Sequence, residues 1–145
     1  MDLSKPIVQV ACVCDSVLFD KGDVPSVIRI VDEFTCEIPD NVPLNVPIGF
    51  PARIFVRLKF LDLNSNGGTV ALQAMRPDGT MGTRQNSPFE KGSHENIQVL
   101  TEFHVLNPQQ GTYKFDVFWN DEQLTTIPIK VVVKRLPAPG AARQT

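Results

Sequence analysis

From Gly111 to Val133, GTYKFDVFWNDEQLTTIPIKVVV, apolar and polar residues change places at almost every step. Side chains alternate across a strand, so Tyr113, Phe115, Val117 and Trp119 share one face of a first arm. Ile127, Ile129, Val131 and Val133 share one face of a second. A period of two cannot line one side of a helix, and the stretch predicts a β-hairpin that carries much of the core. Placing Phe115 opposite Ile129 keeps both apolar faces together, with Val117 meeting Ile127, Tyr113 meeting Val131 and Trp119 meeting Thr125. That register leaves the connection Asp121-Glu122-Gln123, which needs a left-handed residue and contains no glycine, so Asn120 or Asp121 must take that role. A bulge near Thr125-Thr126 is the alternative. Pro128 donates no ladder bond, which predicts a sheet edge over the first half of the second arm.

The same alternation recurs upstream. Ile7–Cys14 reads as a first strand, with a short extra strand at Ser16–Phe19 before the Lys21-Gly22 turn. Ser26–Ile38 reads as one long strand in which Asp32 falls on the apolar face, so that a bulge or a buried partner is required. Prolines 39, 43, 47 and 51 then exclude a helix. They predict an extended loop packed by Leu44, Val46, Ile48 and Phe50. Arg53–Leu61 and Thr69–Met75 are strands separated by the turn signal Asn64-Ser65-Asn66-Gly67-Gly68. Arg76-Pro77-Asp78-Gly79 has turn chemistry, and Thr80–Ser93 is polar enough to predict a loop with at most one short strand. Ile97–Leu106 is a further strand.

Seven long strands without a helix predict an all-β, immunoglobulin-like antiparallel sandwich of about seven to eight strands. The chain of 145 residues fits one domain, residues 1–135, followed by a flexible C-terminal tail at 136–145. The cysteine pair of antibody domains is missing, but Gly111-x-Tyr113 fits a tyrosine corner. A partly open barrel or jelly roll is the other closure.

These residues resemble a family of small uncharacterised bacterial proteins, a domain of unknown function. The similarity lies in the first strand ending Cys14-Asp15, the Pro77-Asp78-Gly79 turn, and Gly111-x-Tyr113-x-Phe115 followed by Ile127-Pro128-Ile129. It spans residues 7–133 and implies a cytoplasmic β-sandwich without assigned catalytic residues. Where that family often has Asp-Gly in the last hairpin turn, this chain has Asn120-Asp121-Glu122.

Charge and cysteine usage narrow the function. A net charge of −2 with scattered Lys and Arg provides no basic stripe, so nucleic acid is not an expected partner. No apolar run nears the roughly 20 residues that span a bilayer, and no membrane association is expected. MDLSKPIVQVACVCD lacks a signal-peptide layout, and three cysteines suit free thiols in a reducing cytoplasm.

Cys12-x-Cys14 puts two sulfurs on one strand face, but zinc pairs are usually spaced more widely and need further ligands, so packing is the simpler reading. Cys14 or Cys36 with His104 lacks an oriented base and an oxyanion site, and His94 has no thiol nearby in the pattern. No enzyme and no cofactor is expected. Asp15, Asp20 and Asp23, with Asp62 and Asn64, have a spacing that permits calcium binding but does not demand it, and turn chemistry is the simpler reading. A calcium- or carbohydrate-binding sandwich is the alternative function.

If strands alternate in direction, the segments 39–51, 76–93 and 120–123 share one end. Phe50, Arg76, Arg84, Phe89 and Asp121 would then form a recognition surface, joined by Leu44 and Glu90. The reading that follows is a non-enzymatic protein-binding or assembly module, using that loop end or an open sheet edge. Such an edge also permits self-association into a homo-oligomer.

Overall fold

The computed structural model describes residues 5–41, 48–61, 67–90 and 95–137. Leu44, Val46, Asp62, Asn64, His94 and most of the proposed tail lie outside them. The described residues form nine strands and no helix: β1 (Ile7–Phe19), β2 (Pro25–Ile30), β3 (Glu33–Pro39), β4 (Gly49–Lys59), β5 (Gly68–Met75), β6 (Gln85–Phe89), β7 (Asn96–Leu106), β8 (Gly111–Trp119) and β9 (Glu122–Leu136). One sheet has the order β2-β1-β4-β7, the other β3-β9-β8-β5-β6. The core between them is built by Ile54, Val56 and Leu58 of β4, Val70 and Leu72 of β5, and Tyr113, Phe115, Val117 and Trp119 of β8. The all-β sandwich expected from period two is therefore present, with nine strands rather than seven or eight.

Three differences are informative. Ser26–Ile38 is not one strand. Arg29 has a φ of 51°, and the chain changes sheets at Val31-Asp32. Val31 N–H donates to the Val13 carbonyl in one sheet, and Lys130 N–H donates to the Asp32 carbonyl in the other. Asp32 is exposed at the crossing, which resolves its place in the apolar pattern. Because β3 continues the direction of β2, it joins β9 in parallel, the one parallel pair among the described strands.

The last hairpin is shifted by two residues from the expected register. Phe115 pairs with Ile127, Tyr113 with Ile129 and Val117 with Thr125, and a bulge follows before Phe118 meets Gln123 and Trp119 meets Glu122. The connection is thus only Asn120-Asp121, with φ of 47° and 66°. Positive φ at both central positions is the mark of the type I′ turn, whose twist matches the strands. Among the described residues β3 covers β9 only from Lys130 onward, so Pro128 lies where the edge has no strand beside it.

The end of β1 and all of β2 fold over the outer face of their own sheet. Gln98 Nε2 on β7 donates to the Asp23 carbonyl in the hairpin tip at 3.2 Å. The flap covers Phe55, which is fully buried on that outer face with Cys12 and Cys14. Phe19 meets the Phe55 ring edge-on at 6.1 Å between centroids.

Candidate functional site

Among the described residues the proposed loop end does not assemble as one surface. Loop 76–93 contains β6, which carries the chain back up the molecule, and Phe89 pairs with Gly68 beside the Asn120-Asp121 turn. Arg76 stays at the opposite end, where its Nη2 donates to the Leu106 carbonyl at 2.9 Å. Phe50 belongs to β4 and stacks on Phe34 at 4.4 Å, so it closes the core. Only Arg84 and Asp121 are brought together, through an ion pair of 2.9 Å. Arg84 also covers the Phe118 ring, with Cζ 4.1 Å from the centroid. A guanidinium over a ring face shields it from water, and Phe118 is accordingly buried although it points out of the sheet. Beside it, Asp116 Oδ1 accepts hydrogen bonds from Thr126 Oγ1 and Gln123 Nε2, at 2.6 and 3.2 Å, which solvate this buried carboxylate.

The other candidates resolve into structural roles. Asp20 Oδ1 accepts the N–H groups of Gly22 and Val24 and holds the flap turn. Among the described residues no three His, Cys, Asp or Glu side chains converge as metal ligands. All three cysteines are free. Burial pushes the Cys12 thiol up to about 11, with Cys14 beside it adding to the effect, and burial raises Cys14 and Cys36 as well. Raised thiols are poor nucleophiles at neutral pH. His104 stands on the outer face, 3.4 Å from Glu102.

What the sequence reading missed is the place of β7 in its sheet, although the strand itself was expected at Ile97–Leu106. It ends its sheet and, among the described residues, pairs with β4 alone. Its register with β4 is unbroken from Leu106 opposite Gly49 to Asn96 opposite Lys59. Just beyond that register, Asn107 N–H donates to the Ile48 carbonyl, and Phe60 N–H donates to the Glu95 carbonyl. Bonded pairs alternate in an antiparallel ladder. Odd-numbered residues of β7 therefore bond β4, and even-numbered residues turn N–H and C=O outward. The Arg76 contact agrees, since the carbonyl it caps belongs to Leu106. Gln98, Leu100, Glu102 and His104 present the remaining open ladder.

Natural edges are normally blunted by shortness, proline, lysine or a kink. β6 is five residues long and contains Pro88, β3 ends on Pro39, and β2 is kinked at Arg29. β7 has eleven residues, NIQVLTEFHVL, with none of these devices. The absence of Pro, Gly and Lys from that run was the available sequence signal.

A cavity of about 390 Å³ opens beside this edge, between the two sheets. Ala74, Phe103, Val105, Tyr113 and Phe115 form its apolar wall, while Arg76, Thr83 and Gln85 stand at the rim. Phe103 and Phe115 close the floor with ring centroids 5.4 Å apart. Thr101 Oγ1 donates to Gln85 Oε1 at 2.8 Å and ties the two sheets together at the upper margin.

No family model and no curated protein matches the chain. Among solved structures it is similar to an alkylpurine DNA glycosylase, AlkC of Pseudomonas fluorescens, bound to DNA containing an abasic site analog. The identity is 11%, the TM-score 0.50, and the match covers 84% of this chain and 30% of that one. A β-glucosidase from Listeria innocua in complex with glucose matches at 9% identity and TM-score 0.49, over 90% of this chain and 17% of that chain. The CARDB domain of a Pyrococcus furiosus protein, in complex with di-metal ions, matches at 12% identity and TM-score 0.39, over 92% and 97%. The chain spans less than a third of the glycosylase, and at such identity the likeness concerns the fold alone. This is a small β-rich domain.

Proposed function

We propose that this protein is a non-enzymatic binding module that takes up an extended segment of a protein partner as a new strand on β7. The observation that carries the reading is the long, unblunted ladder of outward N–H and C=O groups at Gln98, Leu100, Glu102 and His104. Strand addition draws its affinity from such main-chain bonds and its selectivity from pockets for alternate side chains. Both requirements meet here, because residues of an added strand that face the second sheet arrive next to Phe103 and Val105, at the cavity. Leu100 and Leu106 add exposed apolar surface along the same strand. The three free thiols suit a reducing, cytoplasmic setting. The same edge would serve self-association if a second copy supplied the strand.

Selection from a displayed library of random short peptides tests the proposal. His104→Pro and Leu100→Pro each remove an outward N–H that β4 does not use. Peptides captured by the wild type should be lost from both variants while urea midpoints stay close to wild type. Equal capture by all three proteins would refute strand addition.

A further inference from the structure

Building on the strand-addition reading, we infer that the cavity beside β7 selects an apolar residue of the incoming strand together with an acidic residue two positions away. The geometry fixes the spacing. Residues i and i+2 of a strand project to the same side. If one faces the cavity between Ala74, Phe103, Val105 and Phe115, the next on that side reaches the rim toward Leu106. That rim is occupied by Arg76, which donates one N–H to the Leu106 carbonyl and has further guanidinium donors to offer. Arg76 makes no ion pair among the described residues. Its charged neighbour is Asp78, whose two oxygens already accept from Thr80 N–H and Gln109 Nε2. Across the outer face, Glu102 is engaged by Arg53 and His104. The rim therefore offers a guanidinium that forms no direct ion pair among the described residues and keeps unused donors at the end of an apolar hole. Asp78 is its nearby counter-charge, and a carboxylate on the partner can take those donors. The cavity volume, about 390 Å³, accommodates one large aliphatic or aromatic side chain. Addition in either direction is compatible, so the partner motif reads apolar-x-acidic or acidic-x-apolar.

The test repeats the displayed-peptide selection with three proteins. Wild type should enrich peptides with Phe, Leu or Ile two positions from Asp or Glu, and a synthetic peptide of that type should bind about tenfold tighter than its Lys counterpart. Arg76→Glu should select Lys or Arg at the second position. Ala74→Leu, which fills the cavity from β5, should select small residues at the first. A reversal of charge preference that keeps the apolar preference identifies Arg76 as the selector and supports the inference. Selected peptides without the paired motif, captured by wild type but not by His104→Pro, would overturn the inference and leave strand addition standing. If no peptide is selected, or capture is indifferent to His104→Pro, both fall.

Discussion

The phenolic oxygen of Tyr113 lies 2.8 Å from the backbone nitrogen of Gln109 and accepts its hydrogen. This bond ties the start of β8 to the connection from β7, where Asn107 has a φ of 49° and Gly111 a φ of 134°. Gly111 cannot carry a side chain there, because a Cβ would run into Pro77. Tyr113→Phe keeps the ring in the core and strands the Gln109 N–H. It should cost about 1–2 kcal/mol, read from urea unfolding, whereas an unchanged midpoint would show that the corner contributes nothing.

The β8–β9 turn separates two kinds of substitution. Asn120 is backbone-bonded to Thr69 in both directions, through its own N–H and through Oδ1, which accepts the Thr69 N–H. Asp121 contributes an exposed ion pair, and such pairs are worth little. Asp121→Gly should therefore be neutral or stabilising by up to about 1 kcal/mol, since glycine tolerates the positive φ. Asn120→Ala should cost about 1–2 kcal/mol, losing both the bond and the tolerance for that conformation. The reverse ranking in thermal melts would contradict the type I′ assignment.

Cys12 makes the fold sensitive to alkali. In the unfolded chain the thiol ionises near its ordinary 9.0, but burial beside Cys14 pushes it up to about 11 in the native protein. Between those values the unfolded chain has released a proton that the native protein retains. The contribution is complete below pH 9 and is lost as pH rises toward 11. Urea midpoints across this window should fall more steeply for wild type than for Cys12→Val, and parallel slopes would count against it.

Phe55 tests the flap. Its ring is fully buried on the outside of a sheet only because the β1–β2 hairpin lies over it. Phe55→Ala should cost about 3–5 kcal/mol, as for an aromatic in a closed core, and should speed labelling of Cys14 by a thiol reagent. A loss near 1 kcal/mol with unchanged labelling would mean that the flap packs loosely.

The period of two made the strands and their inward faces legible, from Ile54, Val56 and Leu58 to Phe115 and Val117. It could not show that Ser26–Ile38 divides between sheets, because that depends on the positive φ of Arg29 and on two backbone bonds to distant strands. The hairpin register slipped for a related reason. A bulge between Val117 and Phe118 and a two-residue turn of Asn-Asp give the same face alternation as a longer loop in another register. Of the anticipated site residues, Arg84 and Asp121 meet, but Phe50, opposite Val105 at the start of β4, and Arg76, after β5, lie at the other end. Meanwhile β6 carries the rest of the 76–93 segment back toward the Asn120-Asp121 turn. The open edge of β7 was hidden for a deeper reason. Whether a strand lies inside a sheet or ends it is set by strand order, and nothing local in NIQVLTEFHVL encodes its neighbours.

Amide hydrogen exchange along β7 addresses the open edge most directly. In the free protein the amides of Val99, Thr101 and Phe103 should exchange slowly, because they bond β4, while those of Leu100, Glu102 and His104 should exchange fast. Adding a peptide selected on the wild type should slow Leu100, Glu102 and His104 and leave the odd-numbered amides as they were. Slow exchange at the even-numbered amides before any peptide is added, or protection appearing away from β7 when it is, would contradict strand addition at this edge.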